Sequence, residues 1–213
     1  MAFEGLDGSG LTTHSRRLVQ ALSSAGLSAV YTKEPTEGPV GTLIRQALGG
    51  RPLNPRSMAL LFAADRAWHI YEDPSLPGGG LLRALESGYV VVSDRYKYSS
   101  IAYQGAAGAD TRWLWDINSF APEADAIIFI EVPLDVVMER LRNRARLESY
   151  ESEEFLSRVR SAFDAVLEEA ASRGSEVIRL RQVRDGSPVS VDEFASEVEG
   201  AAMGALRRLG VVR

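Results

Sequence analysis

Gly5, Gly10 and Thr12 stand at the spacing of a phosphate-binding loop: a glycine, four residues, a second glycine, one residue, a hydroxyl. Glycines let consecutive backbone N–H groups converge on one point at the positive end of the next helix. That geometry cradles a polyphosphate without any side chain. Thr12 is of the type that places its hydroxyl on Mg2+. The pattern expects lysine between Gly10 and Thr12, and the chain has Leu11. The spacing alone fits both a nucleotide site and a glycine turn that caps a helix.

Three further groups carry candidate chemistry. Asp94 closes the apolar run GYVVVSD and Arg95 follows it, where they can reach a metal and a phosphate, or simply pair with each other. Phe62 and Arg66 are four apart and share a helical face. The ring is suited to stack on a base and the guanidinium to donate to its edge; a core Phe beside a surface Arg fits as well. Arg140, Arg142, Arg144 and Arg146 fall within seven residues and form two like-charge i,i+4 pairs. Each such pair costs an isolated helix about 0.2–0.5 kcal/mol. An anion would offset the repulsion, as would Glu139, Glu148 and Glu151.

These residues need elements to place them. Strands are expected at 1–4, 27–33, 88–94, 124–132 and 176–181. Helices are expected at 13–26, 40–50, 55–73, 133–146, 152–174 and 190–210, with a breaker-rich loop at 74–80. Gly26 and Gly174 act as stops, and Pro133 opens a first turn. Strand–helix alternation predicts a parallel sheet with helices on both faces. In such sheets ligands bind at the carboxyl ends of the strands. The loop at 5–12, the KEP after the second strand and the SDRY after Val92 all fall there.

Composition narrows the class. The 213 residues carry a formal net charge of −5, are 45% hydrophobic and include no cysteine. Disulfides, cysteine metal sites and thiol nucleophiles are excluded. Only His14 and His69 are available to a histidine metal site. No general nucleic-acid footprint and no membrane span are expected. The N-terminal residues show no leader pattern, so a cytoplasmic protein is expected. Among basic residues 22 are Arg and only Lys33 and Lys97 are Lys; forked guanidinium groups suit phosphate.

The stretches FEGLDGSG.TT, YTKEPTEGPVGTLIRQAL, LLFAADRAWH, VVVSDRYKYSSIAYQGA, IIFIEVPLDVVMERL and EEFLSRVRSAF occur in an order that closely resembles the thymidylate kinases, P-loop kinases that phosphorylate dTMP. They span roughly residues 3–165. The resemblance implies one P-loop kinase domain over 1–213: α/β, a five-stranded parallel sheet with helices on both faces, and a lid at about 140–151. It implies ATP and Mg2+ as cofactors, dTMP as substrate, and a homodimer with the helix at 55–73 as a plausible interface. Gly5, Asp7, Gly8, Ser9, Gly10, Leu11, Thr12 and Thr13 would form the ATP cradle. Asp7 would turn toward the acceptor or the metal, which Thr12 and Asp94 would hold. Glu34 and Pro35 fall on the acceptor-side loop, and Arg45 and Arg95 would bind the 5′-phosphate of dTMP. Phe62 would stack on thymine and Arg66 read its O4. Tyr103 would crowd the 2′ position, with Ser99, Ser100 and Gln104 beside it.

Leu11 departs from the family pattern, as does the DPSLPGGG stretch, and the chain starts close to the loop, so a short first strand is expected. The family includes members whose extra cation lies in the lid, and Gly8, where others carry arginine, matches that type. Arg140, Arg142, Arg144 or Arg146 would then take over the lysine's duty, Arg144 first and Arg140 next. A catalytically weak regulatory homologue and a kinase for another deoxynucleoside monophosphate remain as alternatives.

Overall fold

The computed structural model describes residues 1–50, 53–142, 152–184 and 187–212. Five parallel strands form the main sheet in the order β2-β3-β1-β4-β5: β1 Ala2–Gly5, β2 Ala29–Lys33, β3 Val90–Asp94, β4 Ala126–Glu131 and β5 Glu176–Arg181. The three inner strands are buried almost throughout. A strand covered on both faces has no solvent side to alternate with, so these read as continuous apolar runs. Glu4 stands in the middle of β1 and is fully buried, while the other charged residues of these strands, Asp94 and Glu131, lie at their carboxyl ends.

Helices α1 (Leu11–Ser24), α2 (Pro39–Leu48), α3 (Pro55–Tyr71), α4 (Leu81–Glu86), α5 (Lys97–Ala106), α6 (Thr111–Ile117), α7 (Leu134–Arg142), α8 (Glu153–Ser172) and α9 (Val191–Arg208) flank the sheet. A short antiparallel hairpin pairs β6 (Val183–Arg184) with β7 (Ser187–Pro188). One apolar cluster runs from Leu18 and Leu22 of α1 through the inner strands to Phe163 of α8 and Phe194 of α9. Among the described residues no helix is long and apolar enough to cross a membrane.

The parallel five-stranded α/β arrangement agrees with the sequence expectation. Differences lie at ends and in short helices. α1 begins at Leu11 rather than Thr13, because Gly10 takes a left-handed conformation (φ 86°) and turns directly into the helix. α3 stops at Tyr71, two residues early. α3 is also less apolar inside than expected: Asp65, Arg66 and His69 are among its buried residues, while Leu60 is 54% exposed. α5 was not anticipated as a helix. Its residues from Lys97 to Gln104 are all buried, so no amphipathic period marks it. The 74–80 loop is pinned by Asp73, whose carboxylate accepts from the backbone and hydroxyl of Ser75 at 2.9 and 2.7 Å.

Candidate functional site

The carboxyl ends of β1, β2 and β3 open into one cavity of about 420 Å3. The glycine loop forms its floor on one side. A Cβ at Gly5 would lie 2.9 Å from both the Ile130 carbonyl oxygen and Ser9 Oγ, so the close turn requires glycine there. α3, α6, α8 and α9 each begin with a side chain that accepts from the first turn, whereas α2, α4 and α5 do not. α1 begins at Gly10 with no side-chain cap, so its first-turn N–H groups are available to an anion. Ser9 Oγ is buried in the loop with no hydrogen-bond partner among the described residues. Both features fit a polyphosphate, which would satisfy these donors. Thr12 Oγ1 donates to Asp94 Oδ2 at 2.5 Å, and Tyr31 donates to the same oxygen at 3.2 Å. One hydroxyl beside one carboxylate is the small protein ligand set that Mg2+ takes next to substrate phosphates.

On the far side of the loop Arg95 is the organiser. It takes φ 71°, a left-handed conformation rare for a residue with a side chain. Its Nη1 donates to the Gly5 carbonyl and to Ser99 Oγ, both at 2.9 Å, and its Nη2 donates to Asp7 Oδ1 at 2.7 Å. The Tyr103 hydroxyl donates to Asp7 Oδ2 at 2.9 Å. Burial alone would lower the Arg95 pKa, but Asp7, then Tyr103, Asp94 and Glu4, raise it above its ordinary value. Burial, reinforced by Asp7, pushes the Tyr103 phenol well up. Beneath them, Ser99 Oγ donates to Glu4 Oε2, and the Tyr96 N–H donates to Glu4 Oε1 at 3.0 Å. Burial pushes Glu4 up to about 7, against the pull of Ser99 and Arg95. The hydroxyl of Ser99 thus links Arg95 to Glu4.

The loop after β2 has its own buried network. Glu34 Oε2 pairs with Arg66 Nη2 at 2.5 Å, and Glu34 Oε1 lies 3.0 Å from His69 Nδ1. Burial would raise Glu34, yet Arg66 and His69 hold it below the usual carboxylate range. Arg66 also donates to Ser100 Oγ at 2.9 Å and to Asn118 Oδ1. Asp65 accepts from the backbone and hydroxyl of Thr36 at 2.8 and 2.6 Å. Arg45 bonds the Pro35 and Thr36 carbonyls and pairs with Glu37 at 3.0 Å.

The pattern of the family described as thymidylate kinase matches residues 3–177. A putative thymidylate kinase of Aeropyrum pernix is 44% identical over 207 residues, 97% of this chain and 96% of that protein. A probable thymidylate kinase of Pyrobaculum calidifontis is 40% identical over 98% of this chain and 99% of its own length. One from Pyrococcus horikoshii is 39% identical over 71% and 73% respectively. The chain belongs to the thymidylate kinase family.

Within this family member the structure gathers most of the residues singled out from sequence. Asp7, Gly8, Ser9, Gly10, Leu11, Thr12, Thr13, Glu34, Pro35, Arg45, Phe62, Asp94, Arg95, Ser99, Ser100, Tyr103 and Gln104 line the one cavity. Gly5 supports its floor. Arg66 does not line it: the side chain is fully buried behind Ser100 and Glu34. Arg140 reaches the loop from α7, donating to the Gly8 carbonyl at 3.0 Å. Arg142 is exposed at the end of α7. Arg144 and Arg146, with most of the expected lid at 140–151, lie outside the described residues.

Glu4, Thr36, Asp65, Asn118 and Gln182 are given no role in the sequence reading, and His14 and His69 stand out there only as the two histidines available to a metal. Glu4 and Asp65 sit inside the quoted FEG and FAADR stretches, so their positions were in hand. A charged residue in the middle of an apolar strand, as Glu4 is in β1, was the available signal. Nothing local marks Asn118 or Gln182.

Proposed function

We infer that the chain transfers the γ-phosphoryl group of ATP to the 5′-phosphate of dTMP, releasing ADP and dTDP. The observation that carries this is the continuity of the cavity. It runs from the uncapped glycine loop past Arg95 to Phe62 and Arg45, so donor and acceptor phosphates meet in one chamber. Membership in the thymidylate kinase family and near full-length relatives support the base.

The loop N–H groups would hold the ATP phosphates. Three of the five N–H bonds of Arg95 are used by Gly5, Ser99 and Asp7, which leaves the others for the acceptor phosphate. Asp7 and Tyr103 keep that fork from swinging. Phosphoryl transfer asks mainly for in-line positioning and charge neutralisation, and a phosphate nucleophile is already anionic. Thr12 and Asp94 would hold Mg2+, which neutralises phosphate charge when bound. Phe62 would stack on thymine. Arg66 would support the base edge from behind the wall, where its buried Nε has no partner among the described residues. The Tyr103 ring, edge-on to Phe163 at 6.2 Å, would crowd a 2′-hydroxyl. Leu43 on α2 and Leu60 on α3, each more than half exposed, would lie in a homodimer contact, which light scattering checks.

A coupled ADP-release assay with Mg·ATP across a panel of monophosphates tests the reading. dTMP should be the best acceptor, and ribothymidine monophosphate a poor one. Faster turnover of dUMP or dCMP would move the assignment to another deoxynucleotide. ATP binding without turnover of any monophosphate would favour the regulatory homologue, for which Leu11 is the sequence argument.

A further inference from the structure

Arg140 makes two contacts with one nitrogen. Its Nη1 donates to the Gly8 carbonyl of the loop at 3.0 Å and to Gln182 Oε1 at 2.6 Å. The other end of the same amide, Gln182 Nε2, lies 3.2 Å from His14 Nε2. Gln182 and His14 are 4% and 1% exposed. Neither is part of the acceptor cavity.

The directions of these bonds follow from chemistry. A guanidinium only donates, so the amide oxygen must face Arg140. The amide nitrogen therefore faces His14 and donates to it. His14 Nε2 must then offer its lone pair, which leaves the ring neutral and puts its proton on Nδ1, a buried atom with no partner among the described residues. Burial, with Arg17 and Arg140 adding like charge, lowers His14 to about 4 and keeps it so. The backbone of Gln182 is fixed just past β5. Its N–H donates to the Glu131 carbonyl at 3.0 Å, and its carbonyl accepts from Val189 at 2.8 Å. His14 is held edge-on against Phe194 at 4.8 Å. The cluster also abuts the second loop glycine. A Cβ on Gly10 would lie 3.3 Å from His14 Cδ2 and 3.6 Å from Gln182 Nε2.

We propose that Gln182 is a positioning residue: oriented by His14, it holds the Arg140 guanidinium across the phosphate loop, so that a cation stands at a loop whose own lysine position is Leu11. The proposal rests on the kinase reading above and names the residues that complete its donor side. Arg140 is the group that would touch the ATP phosphates. Gln182 and His14 act only through it. A freely rotating arginine would spend most of its time in solvent, whereas one tethered at Gly8 and Gln182 is already in place when charge shifts in transfer.

A double-variant cycle tests this, read on both turnover and Mg·ATP affinity. Gln182→Leu should lower turnover about ten-fold or more and weaken Mg·ATP, with dTMP affinity unchanged by calorimetry. Arg140→Ala should do the same. If Gln182 works through Arg140, the double variant is no worse than Arg140→Ala alone. A merely structural Gln182 would give independent, multiplying losses, with dTMP affinity falling too, and that overturns the proposal. Gln182→Glu supplies a second arm. Its carboxylate still accepts from Arg140, so part of the turnover lost in Gln182→Leu should return. It cannot donate to His14, so the His14 ring should gain a proton at higher pH than in the native chain, seen by NMR titration. An unmoved His14 titration would also overturn the proposal. A native chain that turns over no monophosphate would defeat the kinase reading itself, and the cycle on Mg·ATP affinity would still decide the role of Gln182.

Discussion

The two sides of the phosphate loop are built differently. On the acceptor side, Arg95, Asp7, Tyr103, Ser99 and Glu4 form a closed set in which each charged group has a charged or hydroxyl partner. A second buried set, Glu34 with Arg66 and His69, stands behind it. On the donor side, Arg140 is the arginine that reaches the loop among the described residues, through one amide and one neutral imidazole. The acceptor side is preorganised by burying charge, which is costly to leave half-paired. Among the described residues the donor side is organised by neutral groups that direct one cation, Arg140. A fixed acceptor pocket suits a small ligand that must be discriminated, while ATP would be held largely by backbone N–H groups, which suit any polyphosphate.

The largest expected effect breaks the acceptor side. Arg66→Ala would leave Glu34 buried without its main partner. Breaking a buried pair in this way costs about 3–5 kcal/mol. Urea unfolding should show that loss, and weaker dTMP use should accompany it. Sequence reasoning placed Arg66 at the base edge alone. A variant of native stability with impaired dTMP use would return it there and remove the structural role drawn from its burial.

Arg95→Lys comes next. The substitution keeps the charge but loses the fork that joins Gly5, Ser99 and Asp7. A preorganised donor of this kind is typically worth ~2.7–4 kcal/mol, so kcat/KM for dTMP should fall ~10²–10³-fold. Mg·ATP affinity should change little. Equal losses for both substrates would show that the two sides of the loop are one mechanical unit.

The two sides should also respond oppositely to pH. Glu4 is pushed up to about 7 by burial, so between its ordinary carboxylate range and about 7 the folded chain binds the extra proton. Its contribution makes stability fall as pH rises through that window. His14, lowered to about 4 by burial and by Arg17 and Arg140, binds fewer protons folded than unfolded between about 4 and its ordinary value near 6.5. Its contribution makes stability rise with pH over that window, and it is lost in acid. Each is worth ~3 kcal/mol by linkage, so they largely cancel in the native chain. Glu4→Gln should leave a Tm that climbs from pH 4 to 6.5 more steeply than the native profile. His14→Asn should leave one that climbs less or falls. Parallel profiles for both variants would remove the contrast.

How much of this was legible in the sequence follows from range. The loop, the apolar inner strands and the SDRY strand end are local patterns, and they were readable because spacing or periodicity survives in a short window. Leu43 and Leu60 were visible too, but not their exposure. α5 was hidden because burial on every side erases the helical period. The depth of Arg66 was hidden because i,i+4 spacing gives a shared face and nothing more, and its partners Glu34 and Asn118 come from 32 and 52 residues away. Gln182 lay in a stretch that reads as generic helix and strand, and only the fold brings it 168 residues back to His14. Where Arg144 and Arg146 lie with respect to the loop falls outside the described residues, so the preference for Arg144 over Arg140 stands as an expectation.

The smallest effect concerns Leu11, and it is the sharpest test of the donor side. Leu11 is 5% exposed and belongs to the main apolar cluster with Leu6, Val132 and Leu141. It is the first residue of α1, so its side chain is core packing as well as a missing cation. Leu11→Lys removes buried apolar area worth roughly 1.5–3 kcal/mol, in part recovered if the stem stays buried while the ammonium reaches the loop. Stability should therefore drop. Turnover should not rise with it: if Arg140 already neutralises the phosphates, a second cation at the same place repels the first, and kcat should move by less than about threefold. In an Arg140→Ala background the same substitution should instead restore turnover, because the new lysine then meets no competitor. A ten-fold or larger gain from Leu11→Lys in the native chain would mean that the loop lacks a working cation. The donor side would then be defective, not differently built, and its neutral tether of Gln182 and His14 would hold an arginine that does nothing for transfer.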